Sequence, residues 1–125
     1  MKIRIKGNSI RYRLTKTEVA TFCKTGGYSE NTKFSSSVFT YELRAKAGIP
    51  HPDAQFTNNS IILFLPLEQC KDWDKTPTVG FQYILAQGTG QELSLLVEKD
   101  FTCLDRTSED QSDNYPNPLA TPRHQ

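Results

Sequence analysis

The first fourteen residues constrain the fold more than any other stretch. Ile3 and Ile5, then Ile10, Tyr12 and Leu14, alternate with Lys2, Arg4 and Lys6, then Arg11 and Arg13, on either side of Gly7-Asn8-Ser9. Period two on both flanks of a turn signal is the pattern of a β-hairpin with one buried face. The phase of the pattern sets the loop. A two-residue loop at Gly7-Asn8 pairs Ile5 with Ile10 and Ile3 with Tyr12. A three-residue loop sets Lys6 against Ile10 and mixes the faces, so the shorter turn is expected.

That register has an electrostatic consequence. Arg4 falls opposite Arg11 and Lys2 opposite Arg13, with Lys6 beside them, so Lys2, Arg4, Lys6, Arg11 and Arg13 crowd one face. Like charges directly opposite one another destabilise a sheet. The face therefore calls for nearby carboxylates, for which Glu42, Glu98 and Asp100 are the candidates, or for an anionic ligand. Arginine suits phosphate and carboxylate because its planar fork binds two oxygens at once. The plainer reading is a solvated outer face whose charges discourage edge pairing.

A helix should follow. Thr15 and Glu18 have the spacing of a capping box, Leu14 and Val19 that of a hydrophobic staple, and Val19, Phe22 and Cys23 form an inward stripe ending at Gly26-Gly27. Beyond it the chain reads as β. A strand is expected around Tyr28–Phe34, a second with Phe39, Tyr41, Leu43 and Ala45 inward, and a short piece at Ala54–Thr57 before the turn Asn58-Asn59. Ile61–Leu65 is apolar on both faces, as in a central strand. Leu67, Cys70 and Trp73 recur every three residues, which suits a short helical turn with Pro66 in its first position. Two strands around Gln87-Gly88-Thr89-Gly90 close the domain, the last reaching toward Phe101–Leu104. No internal repeat is visible.

At 125 residues the chain suits a single domain. Its apolar share, 36%, is below that of ordinary globular domains. Residues 106–125 account for the shortfall, because this stretch holds three prolines and few apolar side chains. Such a composition does not offset its own ordering entropy. The expected organisation is a domain over residues 1–105 and a polar tail over 106–125, either mobile or draped on the domain through Tyr115 and Leu119. The class is α+β: a mostly antiparallel, curled or barrel-like sheet of six or seven strands with one helix after the first hairpin.

Several functions are disfavoured. A net charge of +1 lacks the basic excess of nucleic-acid binding. Cys23, Cys70 and Cys103 are scattered and odd in number, with no CxxC pair, so neither a disulfide framework nor a zinc finger is expected. No apolar run is long enough to span a bilayer, and the alternating start at Lys2–Lys6, without an apolar stretch, gives no expectation of a leader segment. A cytoplasmic protein is the resulting expectation. Glu109, Asp110 and Asp113, even with Cys103, Asp105 and His124 added, lack the spacing and glycine of a calcium loop. His51 has only Asp53 close by as a partner acid, and Cys103 has no assignable base. No catalytic residue, metal or cofactor is implied.

The opening Met1-Lys2-Ile3-Arg4-Ile5-Lys6-Gly7-Asn8-Ser9-Ile10-Arg11, the central Val79-Gly80-Phe81, the run from Leu96 to Arg106, and Glu109 through Pro118 together resemble a family of short uncharacterised bacterial proteins, mainly from Bacteroidetes. The resemblance covers nearly the whole chain and implies no activity. It does imply that the tail through Pro118 is part of that family's pattern, which favours docking onto the domain over a purely disordered tail. From the residues themselves, the expected function is a non-catalytic module that binds an anionic small molecule or a protein partner on the basic hairpin face. The alternative is a small hydrolase or transferase acting on a phosphate-bearing substrate through the same arginines.

Overall fold

The opening hairpin forms in the register its hydrophobic pattern requires. In the computed structural model, which describes residues 1–88, 90–101 and 112–116, β1 (Lys2–Lys6) and β2 (Ser9–Leu14) pair antiparallel. Arg4 faces Arg11 and Lys2 faces Arg13. The loop is Gly7-Asn8, and Gly7 takes a φ of 53°, the left-handed conformation a glycine adopts without strain.

Helix α1 (Lys16–Thr25) starts on a complete capping box. The Thr15 hydroxyl accepts from the Glu18 amide, and a Glu18 carboxylate oxygen accepts from the Thr15 amide at 2.9 Å. Leu14 and Val19, the expected staple, are both fully buried. The helix ends at Gly26, left-handed at φ 86°, whose amide donates to the Phe22 carbonyl. The strands that follow are β3 (Gly27–Lys33), β4 (Val38–Lys46), β5 (Asp53–Thr57) and β6 (Ser60–Pro66). A one-turn helix α2 (Leu67–Cys70) and a 3-10 turn (Trp73–Lys75) precede β7 (Gly80–Ala86) and β8 (Glu92–Lys99). Pro66 ends β6 and stands just before α2, not within its first turn.

The sheet arrangement differs from the expected one. There are two four-stranded sheets, in the orders β1-β2-β8-β7 and β3-β4-β6-β5, in place of one mostly antiparallel curled or barrel-like sheet. The outer pairings are antiparallel hairpins, as the sequence pattern indicates. The central ones, β2 with β8 and β4 with β6, are parallel. Alternation along a strand reports which face is buried and is silent about which distant hairpin lies alongside. Phe101 forms a single bridge to Tyr115, and residues 102–104, toward which the final strand is expected to extend, lie outside the described residues.

The two sheets reveal a repeat hidden in the sequence. The chain runs ββαββ twice, and the registers superimpose. Ser9 pairs with Ser94 as Ser60 pairs with Thr40, Lys2 with Arg13 as Asp53 with Phe64, and Gly27 with Arg44 as Gly80 with Glu98. Gly7-Asn8 corresponds to Asn58-Asn59, which turns through φ values of 51° and 60°. Val19 and Phe22 of α1 correspond to Cys70 and Trp73, all four fully buried. Each sheet takes one hairpin from each half, so an approximate two-fold axis runs between the sheets along the four inner strands.

The core lies between the sheets and beneath the helices. Tyr12, Leu14, Leu95 and Val97 from one sheet meet Leu43, Leu63 and Leu65 from the other, capped by Phe22, Cys70 and Trp73. The phenols of Tyr12 and Tyr41 cross the gap: Tyr12 Oη donates to the Ile61 carbonyl at 3.2 Å, and Tyr41 Oη to the Met1 carbonyl at 2.8 Å. Met1 fastens β1 to the other sheet, because its α-amine lies 2.6 Å from Glu18 and 2.6 Å from Glu30.

Within the segment read as tail, Ser112–Pro116 packs on the domain. The Asp113 carbonyl accepts from the Lys16 amide at 3.1 Å, and its carboxylate from Thr17 Oγ1 at 3.0 Å. Hydrogen bonding to the Thr15 hydroxyl, then to Thr17, holds the Asp113 carboxyl below its ordinary range. Tyr115 rests beside Phe101, their ring centroids 5.5 Å apart.

Candidate functional site

Alternation places all five cations of the hairpin on the outer face of the first sheet, and β8 with the residue that follows it supplies carboxylates beside them. Arg13 is in direct register with Glu98. Glu98 Oε2 accepts from Arg11 Nε at 2.7 Å and from Arg13 Nε at 3.2 Å, so one carboxylate bridges two guanidinium groups. Asp100, only 3% exposed, lies 3.1 Å from Lys2 Nζ and 4.0 Å from Arg13. Of the three expected counter-charges, Glu98 and Asp100 are therefore in place. Glu42 belongs to the second sheet, where it accepts from Arg44 at 2.8 and 3.0 Å.

Between the cations is a recess of about 300 Å³, lined by Lys2, Ile3, Arg4, Arg11 and Arg13. Arg4 and Lys6 are exposed, and among the described residues neither makes an ion pair. The acidic residues Glu109 and Asp110 lie outside the described residues, as do Cys103, Asp105 and His124. Asp113 is described and goes to the start of α1 instead.

The remaining candidates are engaged structurally. His51 stacks on Tyr83, centroids 4.4 Å apart and rings nearly parallel, and its Nδ1 lies 2.8 Å from the Pro52 carbonyl. Asp53 uses its carboxylate on the Ala54 amide, at 2.8 Å. Burial pushes the Cys70 thiol up to about 11 and raises the Cys23 thiol too, the reverse of what a nucleophilic cysteine requires. Lys99, which the sequence did not single out, is buried between the Trp73 and Tyr115 rings and donates to the Thr76 carbonyl at 2.7 Å. Its burial lowers its pKa. Among the described residues no group of three or more His, Cys, Asp or Glu side chains could hold a metal ion. No described helix is long and apolar enough to cross a membrane.

A second cavity escaped the sequence reading. At the end of the molecule where β2, β4, β6 and β8 begin, the sheets part around a space of about 440 Å³. Its walls include Ile5 with Phe56, Ile10 with Ile61, and Leu93 with Phe39, each pair equivalent under the internal two-fold. The legible signal was the recurrence of Asn-Ser-Ile at residues 8–10 and 59–61.

Fold and surface together define a two-layer α+β domain built on a doubled ββαββ unit, with one basic face and one apolar mouth. The chain belongs to DUF7009, a family of unknown function, whose model matches residues 1–119. No curated protein and no solved structure matches it.

Proposed function

We propose that this protein is a binding module that holds a phosphate- or carboxylate-bearing ligand on the outer face of β1 and β2. One observation carries the reading. Among the described residues Glu98 and Asp100 are the carboxylates paired with the cations of that face, and Arg4, which lines the 300 Å³ recess, makes no ion pair with them. Glu98 and Asp100 hold Arg11 and Arg13 in fixed positions, which lowers the ordering cost of binding. Arg4 contributes a fork suited to two anionic oxygens. A hydrolase or transferase acting on a phosphate-bearing substrate would need a base or nucleophile beside these arginines. The carboxylate closest to hand, Glu98, is engaged by two guanidinium groups.

The test is a thermal-shift series at low ionic strength with inorganic phosphate, pyrophosphate, nucleotides and dicarboxylates. A ligand that binds only the folded state at 100 times its Kd adds about 2.7 kcal/mol of stability. At least one of these anions should raise the Tm, the shift should shrink with added salt, and Arg4→Gln/Arg11→Gln should abolish it. If no anion shifts the parent and the double variant melts higher than the parent, the face is solvated surface and the proposal fails.

A further inference from the structure

We propose that the apolar mouth at the open end of the two sheets is a binding site for a small acyl-type molecule, one with an apolar body and a hydrogen-bond-accepting head. The site is separate from the basic face: Ile5 points into the mouth, whereas its neighbours Arg4 and Lys6 point outward.

The cavity is unfilled because of symmetry. The other end of the sandwich is closed by Phe22, Cys70 and Trp73 from the helical segments. Here the inner strands simply begin, and equivalent side chains from the two halves surround the axis without crossing it. Ile5 and Phe56 are left 56% and 72% exposed at the rim. Large apolar side chains held open to water around a concave apolar space mark a ligand site more often than a defect.

The walls are preformed. Both two-residue turns are pinned by the neighbouring parallel strand in the same way: the Asn8 carbonyl accepts from the Ser94 amide at 3.0 Å, and the Asn59 carbonyl from the Thr40 amide at 3.1 Å. The Asn8 side chain also donates to the Glu92 carbonyl. A ligand entering therefore meets a fixed shape and does not have to order the loops.

Size and polarity choose the occupant. A space of about 440 Å³ is within the range of small-molecule sites. Among the described residues no charged side chain lines it, and the polar residues of the wall are Gln87 and Gln55, the latter with its side chain turned outward by the strand alternation like that of its equivalent Arg4. Carboxamides donate to a carbonyl or carboxylate oxygen, while the aliphatic and phenyl walls take the chain. A highly charged ligand would lose its hydration there without an opposite charge in return.

The experiment uses the full chain and N-phenyl-1-naphthylamine, a neutral apolar fluorophore that the basic face has no charge to attract. The expected result is saturable fluorescence enhancement at one site per chain, with displacement by decanoic acid and by 1-decanol. Ala54→Leu, which fills the wall, should weaken binding at least tenfold. Phe56→Gln, at an exposed rim position that does not threaten folding, should weaken it several-fold. Arg4→Gln/Arg11→Gln should leave it unchanged, which separates this site from the basic face. Non-saturable enhancement, or affinity indifferent to both Ala54→Leu and Phe56→Gln, overturns the proposal. So does a concentration-dependent dimer that Phe56→Gln dissolves, because the mouth is then covered by a second copy.

Discussion

Tyr12, Tyr28, Tyr41 and Tyr115 tie the two sheets and the docked segment together, and burial raises the phenol pKa of all four. Tyr115 is pushed up to about 12 from an ordinary 10.0. The neutral phenol is the form these sites accept, so folding favours the bound proton. Their contribution is complete below pH 10 and is lost as pH rises toward the folded-state values. Stability should therefore be flat from neutral pH to about pH 9 and fall steeply between about pH 10 and pH 12. Tyrosinate absorbance should appear together with loss of the folded circular-dichroism signal. Tyrosinate forming well before unfolding would show that the phenols are not held by the core. Alternation already turns Tyr12 and Tyr41 inward; what no local pattern announces is which backbone carbonyl each hydroxyl meets across the gap.

At the level of elements, the hairpin and α1 behave as local units. Their turn, cap, staple and stop are written within a few residues of where they act, and each is found where the residue types place it. The strand pairs carry a less visible requirement. A Cβ added at Gly80 would meet the Val97 carbonyl oxygen and lie 2.8 Å from Glu98 Cα, so the backbone of β8 would have to move. At the equivalent Gly27 the nearest atom is the Leu43 carbonyl oxygen at 3.6 Å, an ordinary contact. Gly80→Ala should cost about 1–3 kcal/mol by overpacking, and Gly27→Ala less than about 1 kcal/mol. Urea denaturation of the two variants measures the difference. Equal costs would contradict the close approach of β7 to β8.

For the molecule as a whole, the decisive feature is that neither half owns a sheet. Residues 1–47 contribute β1, β2, β3 and β4, but β2 needs β8 and β4 needs β6 beside it. An isolated half would leave two hairpins with unpaired inner edges and an uncovered apolar face, which a two-stranded unit does not survive in water. Separate fragments 1–47 and 48–125 should each lack folded monomeric structure by circular dichroism and sedimentation. Mixed, they should recover the strand signal of the full chain. A fragment that folds as a stable monomer would refute the strand-exchanged account. The same exchange places the start of all four inner strands at one end, creating the apolar mouth, and both helical segments at the other.

The sequence alone determined the parts that depend on near neighbours. These are the two-residue turn at Gly7-Asn8, the cation pairs it forces, the capped helix after Thr15, and the inward alternation of Phe39 through Ala45. Such features are short-range: a turn's conformation and a side chain's facing are set within a few residues. Tertiary structure decided what lies far apart along the chain. It set β8 parallel to β2, brought Glu98 and Asp100 to the arginines while leaving Glu42 on the other sheet, and closed Ile5 and Phe56 around a common cavity. The free energy of those arrangements comes from burying one hairpin's face against another, and any face of suitable pattern satisfies that locally. Only the assembled pair of sheets distinguishes among the possible partners.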